Sequence, residues 1–271
     1  MKIEKNKNSF ILSDFGEINL SLTLDCGQAF RWCLQPDLFW RGVAFGREVE
    51  VAESPDGLIL RGTTQEDIER IWIDYFDLRR DYDGIVKTLS RDDVFRGAYE
   101  KYGCVRILNQ EPWEALCTFI LSSCNNIPRI RSLAERLCEH FGDKTETSRT
   151  FPSAEKIASL PPGSLDILRA GYRASFIEDA AAVVASGEVS LEKIRELPLP
   201  DAEYELMKIR GVGKKVADCA LLFGMGRIDC FPVDRHIRRI TGELYPEGLP
   251  ACFDGFGGLA QQYLFCLARN I

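Results

Sequence analysis

At 271 residues the chain can bury a large core, roughly 70–75% of its unfolded surface, as two small domains or one compact assembly. Its 45% hydrophobic and 28% charged residues suit a soluble globular protein, and no apolar run reaches the ~18 residues of a membrane span. MKIEKNKNSF carries no signal-peptide pattern, so a cytosolic protein is expected, and the net charge of −7 weighs against indiscriminate nucleic-acid binding while leaving room for a local basic face. The ten cysteines form no C-x-x-C pair; Cys117, Cys138, Cys219 and Cys266 fall at apolar helical positions, where reduced thiols act as small hydrophobes. Two histidines, His140 and His236, cannot make a metal site by themselves.

Residues 8–62 read as β-rich. Phe10–Leu12, Ile18-Leu20-Leu22-Leu24, Phe30-Trp32, Trp40–Phe45, Val49–Val51 and Leu58–Leu60 are short apolar or alternating runs punctuated by Gly, Pro and Asp. They predict an antiparallel sheet of about five or six strands, in which DCGQAFRW (Asp25–Trp32) is a turn and a strand. From Gln65 the period becomes helical, through Ile68, Ile71, Trp72 and Tyr75, then Ile85, Val86 and Leu89. Residues 1–84 are therefore taken as the β domain with its trailing helix, and 85–271 as a helical body. An acidic block from Glu66 to Asp83 is expected to face away from any DNA. Phe119–Gly142 predicts a helix, a polar turn and a second helix, with Asn125 and Asn126 able to cap and Pro128 suited to a first turn. Tyr172 and Arg173 fall at the start of a further helix, and Gly257–Ile271 reads as an amphipathic one.

The stretch from Tyr204 to Gly242 carries the strongest signal. A helical pattern runs into a Gly-Val-Gly turn at Gly211–Gly213, and a second helix starts at once with Lys214 and Lys215. This is a helix–hairpin–helix over about 204–223, whose two glycines permit a tight turn. The turn presents backbone N–H groups at a helix N-terminus, which suits a phosphate. Eight basic residues stand against four acidic ones here, a local basic island in an acidic chain. Lys215 lies in the first turn of the second helix beside Lys214, and both neighbours disfavour its charged form, as a nucleophilic amine requires. Asp234 reads as an N-cap, and a carboxylate held by helix N–H groups can stabilise a cation forming nearby. Together they suit cleavage of an N-glycosidic bond: the carboxylate steadies an oxocarbenium-like sugar and the amine takes C1′. Cys219, one turn after Lys215, is a candidate wall of the same site.

LMKIRGVGKKVADC followed by FPVDRH resembles the helix–hairpin–helix/Gly-Pro-Asp DNA glycosylase superfamily, and the Lys within GVGKKVADC resembles its bifunctional 8-oxoguanine DNA glycosylase/lyases. The resemblance spans about Asp25 to the C-terminus in five separated segments. It implies Lys215 as Schiff-base nucleophile and Asp234 as catalytic carboxylate. In GQAFRW it implies that the Gly27 carbonyl accepts the N7–H that 8-oxoguanine has and guanine lacks. It implies that Gln261 bonds the Watson–Crick edge of the flipped base, that Phe265 stacks on it and that Cys219 forms the opposite wall. Asn125 and Asn126 fall on a run that fills the vacated stack, Arg129 on an Arg that reads the orphaned cytosine, Tyr172 on a wedge and Arg173 on a second cytosine-reading Arg. Cys124 departs from the pattern, which commonly has Asn as hole filler there. Gly211 and Gly213 are expected at a phosphate, and His236 to touch one rather than act as a base. The hairpin carbonyls of Met207, Ile209 and Val212 are candidates for a structural cation. Some relatives carry a four-Cys iron–sulfur loop after the Asp-bearing helix; only Cys252 and Cys266 follow it here, so no cluster is expected, nor any organic cofactor.

The expected fold is α+β, an N-terminal antiparallel sheet packed on a two-lobed helical body. The expected activity is excision of 8-oxoguanine from double-stranded DNA, preferably opposite cytosine, with strand nicking, by a monomer. Two rivals stand beside it: a monofunctional alkylated-base glycosylase, and a non-catalytic helix–hairpin–helix DNA-binding protein.

Overall fold

The computed structural model of the chain describes residues 1–270. β1 (Lys2–Asn6) and β2 (Ser9–Ser13) lead into the short helix α1 (Leu20–Asp25), followed by β3 (Cys33–Leu34), β4 (Trp40–Ala44), β5 (Arg47–Ser54) and β6 (Gly57–Arg61). The strands form one antiparallel sheet in the order β1-β2-β6-β5-β4-β3. Alternation explains its two faces: Val49 and Val51 of β5 are buried while Glu48 and Glu50, which alternate with them, are only part-buried. Leu60 of β6 pairs with Phe10 on one side and Val51 on the other, and all three are buried.

Two expected strands are not strands. Ile18–Leu24 becomes α1, capped by Asn19, whose side chain accepts the Leu22 N–H at 2.9 Å. Leu20 and Leu24 are the leucines it buries, and they are four apart, a spacing that fits a helix face as well as alternate strand positions. Phe30-Trp32 bends and pairs with no strand, because it crosses between two cores: Phe30 packs edge-on against Phe119, whereas Trp32 joins Trp72, Tyr75 and Phe76. β1, ahead of the expected β region, is mostly exposed and gave no apolar pattern.

A bulged helix follows the sheet: α2 (Gln65–Asp67), a π-turn over Ile68–Trp72 and α3 (Ile73–Tyr75). Its acidic block is not an open anionic face, since Glu66, Asp74 and Asp77 pair with Arg70, Arg79 and Arg80. The helical body comprises α4 (Tyr82–Leu89), α5 (Asp93–Tyr102), α6 (Pro112–Leu121), α7 (Ile127–Phe141), α8 (Ala154–Ala158), α9 (Arg173–Ala185), α10 (Leu191–Arg195), α11 (Leu199–Met207), α12 (Lys214–Met225), α13 (Arg235–Leu244) and α14 (Gly257–Arg269). Ile271, the last residue of the expected C-terminal helix, lies outside the described residues. Trp113–Leu121 of α6 and Val216–Met225 of α12 are buried without interruption, so these two helices form the centre. They meet through Phe119 and Phe223, stacked at 5.3 Å.

Buried polar groups sew the sheet to this body. Gln28 is fully buried; its Nε2 donates to the carbonyls of Thr23 and Arg106 at 2.8 Å each, and its Oε1 accepts the Leu108 N–H at 2.8 Å. Gln110 donates from Nε2 to the Gln28 carbonyl at 2.6 Å and from its backbone N–H to Phe223 in α12 at 2.8 Å. Arg106, also fully buried, donates to the carbonyls of Phe15, Glu17 and Asp77. Among the described residues no helix is long and apolar enough to cross a membrane. Gln28→Ala strands the Leu108 N–H and two carbonyls in a dry site, and its expected effect is a loss of about 2–4 kcal/mol in chemical denaturation. Wild-type stability in that variant would refute the stitching role.

Candidate active site

The hairpin sets the geometry. Gly211 has φ +84°, and a Cβ there would lie 2.2 Å from the Phe176 ring, so both backbone and packing require glycine. Gly213 is different from the expectation that both glycines serve the turn. It has ordinary extended geometry as N-cap of α12, and a Cβ on it would meet nothing within 4 Å. What it supplies is open space in front of the α12 N-terminus, whose first amides have no intrahelical partner.

The basic island is smaller than its residue count. Lys208 pairs with Glu205, Arg210 with Asp179, Lys214 with Glu203 and Asp218, and Arg227 with Asp229. Among the described residues Lys215, Arg235, Arg238 and Arg239 form no ion pair, and the three arginines are exposed on α13. The positive face therefore lies on α13 and the start of α12.

Lys215 points into the junction of α6 and α12. Its Nζ donates to Ser122 Oγ at 2.9 Å and lies 5.2 Å from the centre of the Phe119 ring. Ser122 in turn donates to the Phe119 carbonyl at 2.7 Å. Burial pushes the Cys219 thiol up to about 11; Lys215 pulls it down, and Asp218 and Asp234 push it further up. That thiol thus feels both the candidate amine and the candidate carboxylate. Asp234 caps α13: its Oδ1 accepts the N–H groups of His236 and Ile237, both at 2.8 Å.

Gly27 has φ +92°, and a Cβ on it would lie 2.8 Å from Ile127 Cδ1 and 3.5 Å from Phe265 Cε1. The Phe265 ring meets His236 edge-on at 6.2 Å. Gln261, one turn earlier on α14, is 5% exposed, and its buried Oε1 has no hydrogen-bond partner. A buried acceptor left unpaired costs free energy unless a ligand satisfies it. A surface cleft of about 690 Å³ elsewhere is lined by Asp14, Glu17, Glu53 and Asp56 and includes none of these residues; its charge is wrong for DNA.

On the other side of Lys215, Asn125 Nδ2 donates to the Leu121 carbonyl and Asn126 caps α7 by accepting the Arg129 N–H, each at 3.0 Å. Both are committed to the turn between α6 and α7. Cys124 is exposed at φ +48°, in the left-handed region where Asn is more at ease. Arg129 is exposed and donates to the Arg169 carbonyl at 3.4 Å. Tyr172 is 52% exposed, whereas Arg173 is buried. The Arg173 guanidinium donates to Ser123 at 2.8 Å, Cys124 at 3.0 Å and Ala170 at 3.2 Å, all backbone carbonyls, so it is not free to reach a base.

Sequence reasoning missed Ser122, Phe119 and Asp218. The first two join the site only because α6 and α12 touch, across 93 residues between Ser122 and Lys215. Asp218 carried a weak sequence signal, four residues after Lys214. Its carboxyl is buried, which raises its pKa to about 6; Lys214 opposes the rise and Glu203 adds to it.

A sheet-bearing helical body with a hairpin, a lysine and a capping aspartate at one junction defines a helix–hairpin–helix base-excision protein. Residues 117–248 match the family described as HhH-GPD superfamily base excision DNA repair protein, and residues 11–116 match the 8-oxoguanine DNA glycosylase N-terminal domain. The structure of MBOgg1 in complex with a low affinity DNA ligand is 38% identical, covers 99% of this chain and 98% of its own, and superposes with a TM-score of 0.93. The Clostridium acetobutylicum 8-oxoguanine glycosylase/lyase, solved with double-stranded DNA containing cytosine opposite 8-oxoG, is 34% identical with a TM-score of 0.92, covering 100% of this chain and 98% of its own. The chain belongs to the 8-oxoguanine DNA glycosylase family. Among curated relatives, the Saccharomyces cerevisiae N-glycosylase/DNA lyase is 38% identical over 52% of this chain and 42% of its own length. The probable N-glycosylase/DNA lyase of Methanothermobacter thermautotrophicus is 30% identical over 68% and 65%. The chain thus spans less than two thirds of either. A Bacillus subtilis DNA-3-methyladenine glycosylase is 31% identical over 63% of this chain and 58% of its own, so the likeness reaches the alkylated-base class.

The Asp218 carboxyl binds its proton more tightly folded, at about 6, than at the ordinary 3.8. Between about pH 4 and pH 6 the folded state holds the extra proton, so this group's contribution to stability is full below that window and falls as pH rises through it. Asp218→Asn is expected to flatten that part of the stability profile, measured by denaturant unfolding at several pH values. An unchanged slope would show that Asp218 is not its source.

Proposed function

We propose that this protein is a bifunctional DNA repair glycosylase that flips 8-oxoguanine out of double-stranded DNA, preferentially opposite cytosine, excises it and then nicks the abasic strand. The observation that carries this reading is the meeting of the Lys215 amine, the Cys219 thiol and the Asp234 carboxylate at one helix junction. As the C1′–N9 bond breaks, its electron pair leaves with the base and positive charge grows on the sugar, where Asp234 stabilises it. The Lys215 lone pair closes on C1′, and opening of the sugar ring yields a Schiff base. Loss of a C2′ proton then expels the 3′ phosphate by β-elimination.

Recognition follows from the unpaired groups. Gln261 Oε1 needs a donor, and the N1–H and N2–H₂ edge of a guanine-type base supplies donors. The Gly27 carbonyl gains a hydrogen bond from the N7–H of 8-oxoguanine but faces a second acceptor in guanine, a difference worth a few kcal/mol. Phe265 and Cys219 are the two walls. Tyr172 is the exposed wedge, Arg129, held by one long bond to the Arg169 carbonyl, the cation for the orphaned cytosine, and Asn125 and Asn126 shape the turn between them. Arg173 could read a base only after releasing three carbonyls, so its part is to hold that turn. The amides of Gly211 and Gly213, with His236, Arg235 and Arg238, face the phosphates. A structural cation at the hairpin suits the carbonyls of Met207, Ile209 and Val212; Ile209 accepts the Val212 N–H at 3.0 Å and keeps one lone pair. Neither an organic cofactor nor an iron–sulfur cluster enters the chemistry. The protein acts as a monomer in the cytoplasm, at the nucleoid in a prokaryote.

The alkylated-base reading has no use for the Lys215 amine, and a purely binding role leaves Gln261 unexplained. The test is borohydride trapping on a duplex with one 8-oxoguanine opposite cytosine. Wild type is expected to give a covalent adduct and Lys215→Gln none. Asp234→Asn keeps the cap, because Asn serves there as well as Asp, while excision slows about 100-fold or more. If wild type leaves the base in place and forms no adduct, the 8-oxoguanine reading fails and alkylated duplexes are the next substrate.

A further inference from the structure

We infer that Ser122 is a positioning residue that aims the nucleophilic lone pair of Lys215, and that Arg173 holds Ser122 in place through the turn that follows it. The inference deepens the proposed function and rests on Lys215 being the nucleophile.

The geometry at Nζ is directional. A neutral amine nitrogen has four tetrahedral directions: the bond to Cε, two N–H bonds and the lone pair. One N–H goes to Ser122 Oγ at 2.9 Å. The Ser122 hydroxyl has already given its own proton to the Phe119 carbonyl at 2.7 Å, so towards Lys215 it can only accept. Burial raises the titration of the Cys219 thiol, and the amine lies near enough to lower it. With one N–H committed to Ser122, rotation of the amine about its last bond is restricted to orientations that keep that hydrogen bond, and the lone pair is restricted with it. The Phe119 ring, 5.2 Å from Nζ, limits the remaining rotation of the long side chain. Without Ser122 the amine loses this hydrogen bond and can swing about its stem, losing the alignment on which attack at C1′ depends.

Ser122 is itself held from both sides. It closes α6, with its N–H bonded to the Thr118 carbonyl at 3.0 Å, and the chain turns at Ser123 and Cys124. The buried Arg173 guanidinium pins the carbonyls of Ser123 and Cys124, and Asn125 reaches back to Leu121. The nucleophile and the turn assigned to the opposite strand are therefore one rigid piece. No sequence motif links Ser122 to Lys215.

The experiment compares Ser122→Ala, Ser122→Cys and Ser122→Thr at saturating enzyme in single turnover, both on the 8-oxoguanine duplex and by borohydride trapping on a preformed abasic site. Ser122→Ala is expected to slow both steps about 10- to 100-fold. Affinity for a duplex carrying a tetrahydrofuran abasic analogue stays within about twofold of wild type, because no DNA contact is lost. Ser122→Thr, which keeps the hydroxyl, returns to within about threefold. Ser122→Cys keeps the shape with a poor acceptor; it is expected to be as slow as the Ala variant and replaces it if that variant does not fold. A wild-type rate in both Ala and Cys variants, a loss of affinity equal to the loss of rate, or a Thr variant as slow as Ala overturns the inference. The abasic arm keeps it separate from the substrate assignment: trapping that depends on Ser122 without excision of 8-oxoguanine would sink the substrate reading alone.

Discussion

The stacking of Phe119 on Phe223, 5.3 Å apart, is the contact on which the site depends. It binds α6 to α12 at the centre of the helical body, where both helices are buried on every side. Interiors this closely packed do not slide, since small displacements forfeit dispersion contacts along the whole interface. The C-terminus of α6 and the N-terminus of α12 consequently keep a fixed relation, and Ser122 and Lys215 meet across it. A flexible amine becomes a placed one because two rigid helices leave it little else to touch.

The sheet contributes to the same junction from outside. Gly27 stands where the N-terminal region turns against Ile127 and Phe265, at a backbone angle that other residues rarely adopt. Its neighbour Gln28 is bonded in all directions, and through Gln110 the connection runs to the Phe223 carbonyl in α12. The Gly27–Gln28 segment and α12, the helix of Lys215, thus share one buried hydrogen-bond network. Such networks are costly when broken, because each orphaned group remains away from water.

Charge is arranged as economically. In a chain of net charge −7, positive charge is concentrated in a few cations that form no ion pair among the described residues, Lys215, Arg235, Arg238 and Arg239, beside the N-terminus of α12. The ion pairs around the hairpin neutralise Lys208, Arg210 and Lys214, whereas Lys215 forms no ion pair among the described residues. Asp234 keeps its place by capping α13, through two N–H groups that the helix itself supplies.

The sequence by itself determined the fold class, the hairpin, the lysine and the capping aspartate, because each is a local pattern: helical spacing, Gly-Val-Gly, and an acid before a basic helix. It determined the sheet, yet not every strand, since Leu20 and Leu24 at a spacing of four serve a helix face as well as a strand. It did not distinguish Gly211, demanded by φ and by Phe176, from Gly213, which only leaves space, because the two look alike in a string of letters. Residue count overstated the basic island, because the partners of Lys208, Arg210 and Lys214 are decided by packing. Only the tertiary structure decided that Tyr172 is exposed and Arg173 buried, that Gln261 keeps an unpaired oxygen, and that Ser122 holds Lys215. Each of these depends on groups brought together from distant parts of the chain, and periodicity carries no information about which helix ends will meet.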